Sequence, residues 1–138
     1  MFVYEQLTGK LFRDGRWLAT GYSGHGNGKN NPRLQSVHDV GPIPCGFYTI
    51  GYVGNTPTHG PFVLSLTPEK ENEMFGRSGF LIHGDSIEHP GEASEGCIIM
   101  PRPIRELVWA RAQNGESMLE VVSGLPVAEV TQDESDVS

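Results

Sequence analysis

The sequence predicts a mostly-β single domain with one main helix near its C-terminal end. Three observations lead there. Apolar and aromatic residues come in short runs, the 18 Gly and 10 Pro are spread between those runs, and one stretch alone repeats at helical spacing. With 138 residues the chain is of common single-domain size and can build a real core.

Taken in order, residues 2–7 read as a strand closed by Thr8 and Gly9. Residues 10–13 and 16–20 flank Asp14-Gly15, a two-residue hairpin signal, so the first three strands form an antiparallel meander. Residues 21–31 are too polar and glycine-rich for a core element. Residues 41–53 start as a proline-punctuated turn and then alternate as a strand, and 62–66 form another strand stopped by Thr67 and Pro68. The charged stretch 69–79 reads as loop and 80–82 as a buried strand. Pro103 suits a helix start, Ile104, Leu107, Val108 and Ala112 share a helical face, and Asn114-Gly115 ends the run. Residues 117–122 are a last strand. Trp17 and Trp109 are expected in the core. The folded domain is placed at 1–123 and an acidic disordered tail at 124–138, which carries Glu129, Asp133, Glu134 and Asp136 but no Lys or Arg.

Composition narrows the function. A net charge of -7 leaves no cationic excess to neutralise phosphates, so nucleic acid is not an expected partner. Two cysteines make no disulfide framework, and no stretch is apolar for long enough to span a membrane. The first residues are neither basic nor apolar, so a signal peptide is not expected and any export takes another route.

The chemistry concentrates in residues 80–100. An apolar run delivers His83-Gly84-Asp85-Ser86, and the segment Ser94-Glu95-Gly96-Cys97, whose cysteine comes fourteen positions after His83, opens a second apolar run. A cysteine attacks carbonyls as thiolate and needs a base, and imidazole is the side chain whose ordinary pKa suits that work. Gly96 clears space for a substrate carbonyl beside Cys97, and backbone amides there can receive an oxyanion. Against this, a cysteine followed by Ile98, Ile99 and Met100 also fits a buried small hydrophobe, and a histidine after an apolar strand fits a structural role. The small polar residues that interrupt both runs favour the catalytic reading.

The order His-Gly, connector, Ser-x-Gly-Cys-Ile resembles the active-site signature of L,D-transpeptidases (the YkuD-like domain). The segment Gly41-Pro42-Ile43-Pro44-Cys45-Gly46-Phe47-Tyr48-Thr49-Ile50 is similar to that family's proline-glycine segment. With Tyr22-Ser23-Gly24, these motifs look like the subgroup of L,D-transpeptidase-like effectors delivered by type VI secretion. The resemblance implies a β-sandwich or barrel acting on the peptide stems of peptidoglycan, as carboxypeptidase, transpeptidase or exchange enzyme. It implies Cys97 as nucleophile, His83 as general base, Ser94 shaping the turn, and the Gly96 and Cys97 amides binding the oxyanion. Gly84, Asp85, Tyr22, Arg77 and Arg102 are the expected substrate-side residues. Tetrapeptide stems, a cognate immunity protein and a secretion-machine component are the implied partners. A secreted monomer acting in a target bacterium's periplasm is the implied setting. Two departures stand out. Glu95 takes the place where relatives often carry His, and Ile99 the place where they often carry Arg, leaving Arg77, Arg102 or Arg105 to supply a cation.

Other readings of the residues carry less. His83, Asp85, His89 and Cys97 lack a recognised zinc spacing, so neither metal nor cofactor is expected. Residues 24–29 lack P-loop spacing. Asp85 fits turn-capping at least as well as orienting His83, and Cys45 reads as a small buried residue, with both thiols expected free. A non-catalytic wall-binding module, or a phage-derived Cys-His peptidase or amidase, is the alternative function.

Overall fold

The structure, a computed structural model, describes residues 1–125; nearly all of the expected acidic tail lies outside them. Strands β1 (Phe2–Glu5), β2 (Lys10–Arg13), β3 (Arg16–Thr20), β4 (Tyr22–Ser23), β5 (Gly46–Thr56), β6 (Gly60–Pro68), β7 (Leu81–His83), β8 (Ile98–Ile99) and β9 (Met118–Val122) join in one mixed sheet. The strand order is β3-β2-β1-β9-β5-β6-β7-β8-β4, and the helix α1 (Arg102–Gln113) precedes β9. The mostly-β class with one helix near the C-terminal end is as expected, and its architecture is this single nine-stranded sheet.

The meander forms as the sequence signals: β1 and β2 pair antiparallel, β2 and β3 do the same, and Asp14 and Gly15 both take positive φ at the hairpin tip. Strand β9 then inserts between β1 and β5, parallel to the first and antiparallel to the second. The β5–β6 hairpin is longer than the sequence suggested, reaching from Gly46 to Pro68 through a turn at 57–59. Its register shifts twice near Gly54, which keeps a bulged arm paired beyond the strictly alternating residues.

Helix α1 starts on Pro101 as N-cap with a proline in its first turn and ends at Asn114, in agreement with the sequence. It packs on β5, β6 and β7. The core gathers Phe2, Tyr4, Leu11, Tyr48, Leu64, Ile82, Ile98 and Leu119 from the strands with Val108 from the helix. Trp109 packs against this core, whereas Trp17 is 61% exposed. The expectation for Trp17 is therefore corrected: β3 is an edge strand, and the side chain is exposed among the described residues. Among the described residues, no helix is long and apolar enough to cross a membrane.

The irregular stretch after Gly21 contains β4, whose two residues pair antiparallel with β8. Strand β8 in turn runs parallel to β7, with His83 opposite Ile99 and Ile82 opposite Ile98. This four-element corner, β6-β7-β8-β4, positions the site.

Candidate active site

His83 ends β7 and Cys97 immediately precedes β8; the parallel register, with Ile82 opposite Ile98 and His83 opposite Ile99, sets Cys97 beside Leu81, so Cys97 and His83 stand diagonally across the two strands on the same face. Both line a groove of about 1300 Å³ that also takes in His59, Asp85, Glu95 and Arg102. Cys97 is half-buried, and its thiol makes a long contact of 3.9 Å to the Gly79 carbonyl. His83 is 4% exposed. Its Nδ1 lies 2.8 Å from the Gly84 carbonyl oxygen, which can only accept, so Nδ1 holds the proton of the neutral ring. Nε2 is then the unprotonated nitrogen, the form a general base needs.

Burial pushes the Cys97 thiol up and Glu95 adds to this, while the Leu81 amide and Arg77 oppose it. Burial pushes the His83 imidazole down; the Gly84 bond opposes this, and His59 and Arg105 reinforce it. Both shifts oppose ion-pair formation. Both directions favour the neutral thiol and the neutral imidazole.

The turn before Cys97 is fixed by serines. Ser94, fully buried, accepts from the Gly24 amide (2.9 Å) and the Gly96 amide (3.1 Å), and donates to the Cys97 carbonyl (2.6 Å). The Ser23 hydroxyl donates to the Gly96 carbonyl at 2.8 Å and accepts from the Ile43 amide. The Gly96 amide is therefore engaged by Ser94, and this differs from its expected place in an oxyanion hole. Gly96 itself sits at φ +135, where an added Cβ would stand 2.6 Å from Arg77 Nη2 and 2.9 Å from the Phe80 ring. Only glycine satisfies both the backbone angle and that approach.

The two buried arginines are clamps. Arg77 donates to the carbonyls of Gln35 (2.6 Å), Pro42 (2.8 Å), Gly41 (2.9 Å) and Glu95 (3.3 Å), and lies over the Phe80 ring. Arg105 donates through Nε to Phe62, through Nη2 to Pro61 and through Nη1 to Met100, each a backbone carbonyl. Gly84 admits Arg105: a Cβ there would lie 3.2 Å from Nη1. Arg77 thus stands behind the nucleophile turn, away from the substrate-side place expected of it. Arg102 is different. Its side chain is 54% exposed, lines the groove, and has a 3.6 Å ion pair with Glu106.

Tyr22 and Asp85 meet as partners. The Tyr22 hydroxyl donates to Asp85 Oδ1 (2.6 Å) and accepts from the Ala93 amide (2.9 Å). The Asp85 carboxylate also accepts from the Ser86 and Gly91 amides, and these donors hold it below the usual carboxylate range against the opposing cost of burial. Asp85 organises the connector, the turn role that the sequence allowed. Ile99 is buried at 3% exposure, so the side chain at that position faces packing and not the groove. Cys45 and Cys97 are both free; Cys45 donates to Gln6 Oε1 at 3.3 Å, and burial pushes its thiol to about 11. Among the described residues, no group of three or more His, Cys, Asp or Glu is arranged to hold a metal ion.

Sequence reasoning passed over His59. It lies at the tip of the β5–β6 hairpin, and its ring centroid is 4.6 Å from that of His83. The available signal was local: His59 sits among Pro57, Thr58 and Gly60, a turn cluster between two strands, where side chains are free to reach a site.

The mostly-β sheet thus brings a cysteine and a buried histidine from adjacent parallel strands into one groove. The chain belongs to the Tlde1 domain family, the L,D-transpeptidase-like effector domains of type VI secretion, whose family model matches residues 18–124. This is a peptidoglycan-acting family of secreted effectors. Comparison with curated proteins finds no match.

Proposed function

We propose that this chain cleaves the L,D bond of tetrapeptide stems, with Cys97 as nucleophile and His83 as base. The observation that carries the reading is the placement of both residues in one groove at the β7–β8 corner, in a chain of a peptidoglycan-acting family. His83 Nε2 takes the thiol proton as Cys97 Sγ bonds to the carbonyl carbon of the third stem residue. The Cys97 amide stabilises the oxyanion. Collapse breaks the C–N bond, and the proton held by His83 passes to the amine of the leaving D-Ala. Water, a second stem amine or a free D-amino acid then resolves the thioester, giving hydrolysis, 3-3 cross-linking or exchange.

Arg102 is the cation for a substrate carboxylate, because Arg77 and Arg105 spend their donors on carbonyls while Arg102 lies open on the groove wall. Delivery by a type VI machine and action in a recipient's periplasm follow from the family, with an immunity protein as the producer's protection. Mass analysis of muropeptides after incubation with the protein tests the reaction. The expected change is loss of D-Ala from tetrapeptides, falling by about 10³-fold or more in Cys97→Ala, whose fold is retained. Unchanged tetrapeptides with the parent protein would refute the activity, and cleavage at another bond would reassign it.

A further inference from the structure

His59 touches the proposed base from a different part of the chain. The β5–β6 hairpin carries it across, and α1 pins that hairpin: Arg105 holds the Pro61 and Phe62 carbonyls at 3.0 and 2.9 Å, just beyond the histidine. The same guanidinium bonds the Met100 carbonyl, at the end of the Cys97 strand, and abuts Gly84. One buried cation therefore sets the spacing between hairpin tip, His83 and the nucleophile strand. His59 is further held by a contact of Nδ1 with the Thr58 hydroxyl (3.1 Å) and by the hydrogen bond its backbone N–H donates to Thr56 Oγ1 (2.8 Å). The result is a tilted ring contact with His83, at 4.6 Å between centroids and 53° between planes.

We propose that His59 is a positioning residue for His83: the hairpin presses its ring against the imidazole and fixes the orientation in which Nδ1 bonds Gly84 and Nε2 serves Cys97. The inference rests on the proposed role of His83 as base. It has two consequences. The packing one is that a ring is needed at position 59, whatever its polarity. The electrostatic one concerns charge, because a proton on His59 opposes a proton on His83. The groups that face His83 are His59 from the hairpin, Arg105 from α1 and Asp85 from the following loop, and the first two both act to keep His83 uncharged.

Two readouts that need no peptidoglycan test this. The first is the rate of Cys97 alkylation by iodoacetamide across pH, measured on the Cys97 peptide by mass. The second is the NMR titration of the His83 Cε1–H. His59→Ala is expected to lower the alkylation plateau about tenfold, and His59→Phe to restore it to within about threefold of the parent. His59→Gln is expected to raise the His83 midpoint. A parental plateau in His59→Ala, or a His59→Phe variant no better than His59→Ala, overturns the positioning role. An unmoved midpoint in His59→Gln overturns the electrostatic one. Melting curves of all three variants separate these results from misfolding, and His59→Phe keeps the test decisive if His59→Ala unfolds. Failure of D-Ala release with these couplings intact counts against the proposed reaction and leaves the His59 assignment standing.

Discussion

The two segments that flank Cys97 and His83 are built in opposite ways. Residues 93–97 are locked: Ser94 is fully buried with three hydrogen bonds, Gly96 fits against Arg77, and Ser23 ties the same turn to the residues before β5. Residues 85–92 hang on one carboxylate, with Asp85 gathering Tyr22, Ser86 and Gly91, while Ile87 is 97% exposed. The segment that carries the proposed nucleophile is held by buried bonds, and the opposite rim is left to solvent. Such a division gives catalytic geometry to the core and substrate contact to the surface.

Mutations that break the locked side should cost the most. Arg77→Ala leaves four backbone carbonyls without their donor and is expected to destabilise by roughly 3–5 kcal/mol, read by denaturant melts. Ser94→Ala removes three bonds at once and is expected to cost about 2 kcal/mol, with cleavage falling further than stability explains because the Cys97 carbonyl loses its anchor. Next comes the open side. Arg102→Gln should raise KM about tenfold, roughly 1.4 kcal/mol of binding, with little change in kcat or melting. Ile87→Ser should alter stability by no more than about 0.5 kcal/mol. An Ile87→Ser variant that melts as badly as Arg77→Ala would erase the distinction between the two segments.

The pH profile sharpens the same comparison. His83 must be uncharged to act as base, and its buried setting pulls its pKa below the ordinary 6.5. The acid limb of kcat/KM is therefore expected below pH 6.5, and should move upward in His59→Gln, which removes a group that lowers the His83 pKa. The linked stability effect has a definite sign. Below pH 6.5 the unfolded imidazole takes a proton that the folded one refuses, so stability falls as pH drops until the folded group also titrates.

Much of this was legible in the sequence because it depended on local chemistry. Asp14-Gly15 marks a hairpin, Pro103 and Asn114-Gly115 bracket a helix, and the His83-Gly84 and Gly96-Cys97 pairs interrupt apolar runs where a core needs no interruption. What was hidden depended on distant partners. Strand β4 is two residues long and exists through its pairing with β8. Arg77 and Arg105 read as candidate cations for the substrate, yet both are buried because neighbouring turns offer carbonyls in a fork's geometry. Trp17 read as core because hydrophobicity alone does not reveal an edge strand. His59 lies 24 positions before His83, and only the pinned hairpin brings the rings together.

The central claim is that Cys97 carries the stem peptide as a thioester. Rapid acid quench of the protein mixed with tetrapeptide stems, followed by mass mapping, tests it directly. The account predicts a tripeptide acyl adduct on the Cys97 peptide, absent from Cys97→Ala and retained in Cys45→Ser. D-Ala release at the parental rate from Cys97→Ala, or an adduct carried by Cys45, would contradict it.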